Sequence, residues 1–139
     1  GLETVVINHK DFSSREEFDR AVVDEIGKFK IDLTVLAGFM RILTPVFTDN
    51  IKAINLHPSI LPLFKGAHAI NESFYSDMQV GGVSVHWVSS ELDSGQIIAQ
   101  KTFARKTKTL QEWEEKIHKI EHKLLPKTII EILTKESDA

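Results

Sequence analysis

Asn55, His57 and Asp93 are polar residues whose types and positions suit one kind of chemistry. Asn55 and His57 end an otherwise apolar segment, and their spacing of two places both side chains on one face of a strand. Asp93 lies in a Leu-Asp-Ser-Gly turn, from which a carboxylate can project into a cleft. Acyl transfer needs donors aimed at a developing oxyanion and a base that takes the proton of the attacking amine. An amide, an imidazole and a carboxylate together meet that need.

Each of these residues also has a plain structural interpretation. An asparagine at a strand end often only satisfies loop backbone, and a single histidine is more often structural than catalytic. An aspartate before Ser-Gly is a common turn residue. His86 is a fourth candidate, one strand away from Asp93, and for His86 and Ser84 we favour an orienting role over a reacting one. The prediction of acyl-transfer chemistry therefore rests on the occurrence of Asn55, His57 and Asp93 together.

The elements that must position these residues alternate between short apolar strands and amphipathic helices, which is typical of an α/β sheet. The predicted strands are 4–7, 32–39 (buried on both faces), 53–58, 82–88 and 97–103. The predicted helices follow Ser13-Ser14, Thr44-Pro45 (reaching Ile51) and Thr109. Strands 82–88 and 97–103 should be antiparallel because only a short turn joins them. Ligands of α/β sheets bind at strand ends, where Asn55 and His57 stand.

Composition narrows the class of protein. The chain has 139 residues, 42% of them hydrophobic, with a formal net charge of −3 and no cysteine. These values are typical of one globular domain over 1–139 and give no support to a nucleic-acid or membrane partner. No apolar run approaches the roughly 20 residues that a membrane-spanning helix needs. We expect a cytoplasmic monomer or homodimer that acts on small-molecule substrates.

A competing motif lies in the C-terminal helix. His118, Glu121 and His122 match the His-x-x-Glu-His pattern of a class of zinc peptidases. The apolar stripe of this helix leaves both histidines facing water and Glu121 at its border. Two histidines on a solvated face, without an obvious third ligand, form a weak zinc site. We therefore expect no metal, and we assign Glu121 to contact with an organic ligand.

Three segments resemble the signature segments of the formyltetrahydrofolate-dependent transferases. They are Ala-Gly-Phe-Met-Arg-Ile-Leu at 37–43, Asn-Leu-His-Pro-Ser-Ile-Leu-Pro at 55–62 and Glu-Leu-Asp-Ser-Gly-Gln-Ile-Ile-Ala-Gln at 91–100. The Asn-x-His-x-Ser-x-Leu-Pro core with a downstream Leu-Asp-x-Gly is highly specific for that superfamily. Segment 38–43, Pro58 and segment 121–126 resemble its glycinamide ribonucleotide branch, although Leu125 replaces the tyrosine more often found there. The resemblance extends from about Leu2 to Ile132.

The resemblance implies a Rossmann-like formyltransferase fold, with a mainly parallel sheet and helices on both faces. It implies transfer of a formyl group from 10-formyltetrahydrofolate to the amine of glycinamide ribonucleotide in de novo purine biosynthesis. Asn55 would bind the formyl oxygen, His57 would act as a charged donor or general acid, and Asp93 would support the imidazole or accept the amine proton. The acceptor would contact Pro58 and Glu121. The folate would contact Met40, Arg41, Ile42, Leu43, Asn55, Ser89, Ser90, Glu91, Leu92 and Asp93.

Members of that family also begin with a strand and a Gly-rich loop that cradles the ribonucleotide phosphate. The sequence contains neither G-x-G-x-x-G nor G-x-x-x-x-G-K. We therefore expect a chain truncated at its amino end, without the N-terminal strand and phosphate loop, and with weak or no turnover on its own.

Three alternatives stay open at this point. Two are relatives within the superfamily, formyltetrahydrofolate deformylase and methionyl-tRNA formyltransferase. The third is a folate-binding remnant without activity.

Overall fold

The structure, a computed structural model, describes residues 1–39, 41–106 and 108–138. A 3₁₀ turn at His9–Asp11 comes first. The strands are β1 (Thr34–Leu36), β2 (Ala53–His57), β3 (Val80–Trp87) and β4 (Ile97–Ala104). The helices are α1 (Arg15–Ile26), α2 (Pro45–Thr48), α3 (Ala69–Phe74) and α4 (Leu110–Asp138). Every helix in the described ranges is too short or too polar to span a bilayer.

The four strands form one sheet in the order β1-β2-β3-β4. The β1–β2 pair is parallel, whereas β2–β3 and β3–β4 are antiparallel. The α/β class and the antiparallel last pair are confirmed, but the sheet is mixed and not mainly parallel. The short turn after β3 permits only an antiparallel neighbour. The connection 58–79 returns to the end of the sheet where β2 finished, so β3 also runs against β2.

Two strand predictions near the amino end need correction. Residues 4–7 form no strand, and Val5 and Val6 are exposed. A strand needs a neighbour for its N–H and C=O groups, and in the described part of the chain β1 pairs only with β2. The predicted strand 32–39 is reduced to Thr34–Leu36, which is half-buried because β1 lies at this edge of the sheet.

The capping signals in the sequence mark the helix starts correctly. Ser14 caps α1, since its Oγ accepts a 3.1 Å hydrogen bond from the N–H of Glu17. The Glu17 carboxylate accepts bonds from the hydroxyl and N–H of Ser13, and these hold the pKa of Glu17 below its usual value. Thr109 Oγ1 accepts a 3.1 Å hydrogen bond from the N–H of Glu112 at the start of α4.

Two helices differ from the expectation. Helix α2 begins at Pro45 as expected but ends at Thr48, short of Ile51. Helix α3 was not predicted, because six residues are too few to show helical periodicity.

Helices cover both faces of the sheet, as expected. On one face α4 packs against β2 and β3 in a cluster built on Ile54, Val85 and Ile132. On the other face α1 and α2 pack around Phe47 and Ala53. Alternation along β2 puts Asn55 and His57 on the same face as Ala53, beyond the cover of α2. The sheet thus carries these two polar side chains to its open end.

Arg105, just after β4, ties α3 to the rest of the fold. Its Nε donates a 2.8 Å hydrogen bond to the carbonyl of Met78. Its Nη2 donates hydrogen bonds of 2.9 Å to the carbonyl of Phe74 and 3.2 Å to the carbonyl of Ser73. The guanidinium also lies 4.3 Å from the ring centroid of Trp113 in α4. One side chain therefore closes the end of α3 and covers the core tryptophan.

We predict that Arg105→Lys lowers the free energy of unfolding by about 2 kcal/mol, because an ammonium cannot reproduce the planar fork or the ring contact. Urea denaturation measures this loss. The exposed neighbour Lys106→Arg should change stability by less than about 0.5 kcal/mol. Equal stability of the two variants would show that Arg105 has no special role.

Candidate active site

Asp93 is a buried carboxylate that the structure places between two imidazoles. Its side chain is 5% exposed, and one oxygen, Oδ2, accepts a 2.8 Å hydrogen bond from the N–H of Gly66. The same oxygen lies 3.5 Å from Nδ1 of His57, and Oδ1 lies 3.7 Å from Nε2 of His86. Asp93 adopts a positive φ of 51°, a conformation that aspartate tolerates better than most residues. The turn thereby directs a charged group into the protein interior.

Both ring nitrogens of His57 face oxygen atoms. Its Nε2 lies 2.8 Å from the carbonyl oxygen of Phe64, which can only accept, so Nε2 carries a hydrogen. Nδ1 lies 3.5 Å from the Asp93 carboxylate. The ring of His57 thus stands between the loop carbonyl of Phe64 and the Asp93 carboxylate.

His86 links Asn55 to the same cluster. Nδ1 of His86 lies 2.9 Å from the carbonyl of Trp87, which assigns a hydrogen to that nitrogen. In the neutral ring Nε2 then accepts the 3.2 Å hydrogen bond from the side-chain amide of Asn55. A carboxamide has two N–H groups, so the second one stays available to a substrate oxygen. The structure supports the orienting role expected for His86, a residue that sequence alone did not connect to Asn55.

The loop after β2 is held by side chains of β3 and β4. Ser84 Oγ donates a 2.7 Å hydrogen bond to the carbonyl of Ser59 and accepts a 3.0 Å hydrogen bond from the N–H of Leu61. Gln100 Nε2 donates to Ser84 Oγ and to the Leu61 carbonyl. This network fixes the loop that supplies the Phe64 carbonyl and the Gly66 N–H. Gln100 ends the signature segment 91–100, but its role in holding this loop was not predicted, because its partners Leu61 and Ser84 lie on other elements.

Two spaces adjoin the cluster. A narrow cleft of about 40 Å³ lies between Leu36, Phe39 and 41–43 on one side and 88–93 on the other, and a cavity of about 760 Å³ extends from the end of β2 to α4. Their walls share five residues: Phe39, Ile42, Asn55, Leu92 and Asp93. Asn55 and Asp93 therefore stand at the junction, with access to both spaces.

The residues predicted to bind ligands fall on these walls. The cleft is lined by Arg41, Ile42, Leu43, Asn55, Ser89, Ser90, Glu91, Leu92 and Asp93. Met40 lies outside the described residues. The cavity is lined by His57, Pro58 and Glu121. The described residues among those predicted to bind ligands thus lie together around these two spaces.

The His-x-x-Glu-His segment lies at the cavity wall. His118 is about half exposed and pairs with Glu121 at 3.2 Å and with Glu114 at 3.4 Å. Glu121 is half-buried, in agreement with its expected border position. The two histidines are exposed as expected, but they also line the cavity. In the ranges that the structure describes, no group of three or more His, Asp or Glu side chains is arranged to hold a metal ion.

Comparison with known proteins identifies the family. The family described as "Formyl transferase" matches residues 2–129. The chain belongs to the formyl transferase family. It is 41% identical over 129 residues to the human trifunctional purine biosynthetic protein adenosine-3, covering 91% of this chain. It is 35% identical over 127 residues to phosphoribosylglycinamide formyltransferase of Bacillus subtilis, covering 89% of this chain.

The fold of this formyl transferase chain also matches solved structures. The crystal structure of phosphoribosylglycinamide formyltransferase from Campylobacter jejuni superposes with a TM-score of 0.93 at 65% identity, over 96% of this chain and 70% of that one. The matched region spans 13% of the human protein and 65% of the B. subtilis protein. The mixed sheet with helices on both faces is therefore the fold of this family.

The glycine of the Leu-Asp-x-Gly motif is required by a close backbone contact. A Cβ on Gly95 would lie 1.6 Å from the carbonyl oxygen of Trp87. That approach permits the 2.9 Å hydrogen bond from the Trp87 N–H to the carbonyl of Gln96, which anchors the turn carrying Asp93.

We predict that Gly95→Ala lowers the free energy of unfolding by about 2–4 kcal/mol, because the two backbones must separate. Chemical denaturation measures the loss, and the NMR signals of His57 and His86 should shift as Asp93 moves. Ser90→Ala, in the same exposed loop, should stay within about 0.5 kcal/mol of the wild type. A stable Gly95→Ala chain with unchanged histidine signals would contradict the contact.

Proposed function

We propose that this chain carries the reaction centre for transfer of a formyl group from 10-formyltetrahydrofolate to the amine of glycinamide ribonucleotide, a step of purine biosynthesis. The observation that supports it most directly is the position of Asn55 and Asp93 where two ligand spaces meet. A transfer reaction needs a donor and an acceptor to meet at one point. A hydrogen-bond donor and a buried carboxylate at the junction serve that need.

The donor side is the cleft between Leu36, Phe39 and 41–43 on one side and 88–93 on the other. Its wall offers the backbone of Arg41–Leu43, and the loop 89–92 lies across from it with exposed side chains such as Leu92. A volume of about 40 Å³ is on the order of one water molecule, so a pterin ring must widen the cleft on binding. Surface loops such as 89–92 can supply that movement.

The acceptor side is the large cavity. A volume of about 760 Å³ lies in the usual range for small-molecule sites, about 300–1,000 Å³. The Glu121 carboxylate on its wall can accept hydrogen bonds from ribose hydroxyls, and Pro58 adds an apolar surface beside His57. A ribonucleotide in this cavity would present its amine toward Asp93.

The proposed chemistry is attack of the amine nitrogen on the formyl carbon. The second N–H of Asn55 stabilises the oxyanion of the tetrahedral intermediate, and His57 assists it as a charged donor or general acid. Nε2 of His57 is already bonded to Phe64, so a substrate oxygen would compete with that carbonyl for the same hydrogen. When the bond between the formyl carbon and N10 of the folate breaks, the amine proton passes through Asp93 or a water to N10.

We predict that Asn55→Ala, His57→Ala and Asp93→Ala each lower the rate of formyl transfer at least about 100-fold, because each removes an oxyanion donor or a proton carrier. Transfer is measured by release of tetrahydrofolate, and circular dichroism checks that the variants stay folded. Glu115→Ala, exposed on α4, is the control and should keep the wild-type rate. A wild-type rate for His57→Ala would remove the mechanism.

The acceptor is tested by competition. With 10-formyltetrahydrofolate as donor, formylated glycinamide ribonucleotide should exceed free formate as product, since the cavity is shaped for an organic acceptor. Formate as the main product would identify a deformylase. Binding of tetrahydrofolate by the wild type, with neither product formed, would fit the weak turnover expected without the phosphate loop as well as the folate-binding remnant.

A further inference from the structure

Asp19 is a buried charged residue outside the site described above. It lies on α1 and is 1% exposed. Its Oδ2 accepts two 2.7 Å hydrogen bonds, one from the backbone N–H and one from the hydroxyl of Thr44. A buried carboxylate is costly unless it is well bonded, and bonds to a charged group are the stronger kind. These two hydrogen bonds therefore hold Thr44 strongly against α1.

Thr44 uses its hydroxyl for this contact and not for the helix that it precedes. It occupies the N-cap position of α2, yet its side chain makes no capping hydrogen bond. A threonine at an N-cap usually bonds the second or third N–H of its own helix. Here the hydroxyl turns back to Asp19 instead. The hydrogen bond therefore holds the segment before α2 against α1 and does not cap α2.

The segment before Thr44 is the wall of the cleft. Arg41, Ile42 and Leu43 line it, and α1 holds this segment at both ends. At one end Asp19 binds Thr44, and at the other the guanidinium of Arg41 lies 5.0 Å from the ring centroid of Phe18, the residue next to Asp19. Two adjacent residues of α1 thus hold the two ends of a four-residue segment.

We infer that Asp19 is a positioning residue for the folate cleft, acting through Thr44 on the backbone of residues 41–43. The inference rests on the proposed function, because it assigns the cleft to the folate. Asp19 touches no substrate. It acts by holding the wall in the conformation that the pterin requires while the loop 89–92 moves. Of residues 41–43 only Ile42 also lines the acceptor cavity, so loss of Asp19 weakens folate binding much more than acceptor binding.

The test uses Thr44→Val, which removes the hydroxyl bond but keeps the side-chain shape and the N–H bond. We predict that it raises the Kd for tetrahydrofolate about five- to tenfold in a fluorescence titration of the whole chain, the effect of losing one charge-assisted bond that holds a binding conformation. Thr44→Ser keeps the hydroxyl and should bind within about twofold of the wild type. The Kd for glycinamide ribonucleotide should also stay within about twofold in both variants.

Thr48→Val is the matched control. Thr48 lies one turn later in α2 and is half-buried, and its hydroxyl donates a 3.4 Å hydrogen bond to the Thr44 carbonyl. It should leave the Kd for tetrahydrofolate unchanged. A merely structural role for the Asp19–Thr44 pair would lower the melting temperature of Thr44→Val without changing folate binding, and that result would overturn the inference alone. A wild-type chain that binds no tetrahydrofolate would instead contradict the proposed function, and the inference with it.

Discussion

The arrangement of the site depends on the hydrogen-bond partners that the buried carboxylate of Asp93 requires. A carboxyl group that is 5% exposed needs partners for its oxygens, and the structure supplies the N–H of Gly66 and the ring of His57. These partners come from the end of β2 and from the loop that follows it. The need to satisfy one charge therefore joins the loop after β2 to the turn between β3 and β4. The reaction centre exists only where these two segments meet.

Much of the surrounding structure serves to keep the two segments in place. Ser84 on β3 anchors the loop after β2, and the absence of a side chain at Gly95 lets the turn approach β3. The same strand carries His86, which orients the Asn55 amide. β3 is thus the common support of the amide and the carboxylate, and its central position in the sheet makes that support rigid.

The cleft and the cavity differ in how they are built. The cavity lies between the end of β2 and the long helix α4, two elements that pack into the core. The cleft lies between two loops, so its width depends on what holds those loops. Residues 41–43 are held by α1 through Phe18 and Asp19, whereas residues 89–92 are mostly exposed. One wall is fixed and the other is free to respond to a ligand, an arrangement that suits a planar ring entering from the surface.

The sequence by itself determined the features that depend on neighbouring residues. The caps at Ser14 and Thr109 mark where helices begin because capping is a local interaction, and Pro45 marks the start of α2 because its fixed φ suits the first helical position. The site residues were recognisable because amide, imidazole and carboxylate groups interrupt apolar segments, and because their motifs resemble those of one superfamily. The tertiary structure alone decided the direction of β3, the absence of a strand at 4–7, and the bond between His86 and Asn55. These depend on which distant segments become neighbours, and the pairing of backbone and buried polar groups across such distances leaves no periodic trace in the sequence.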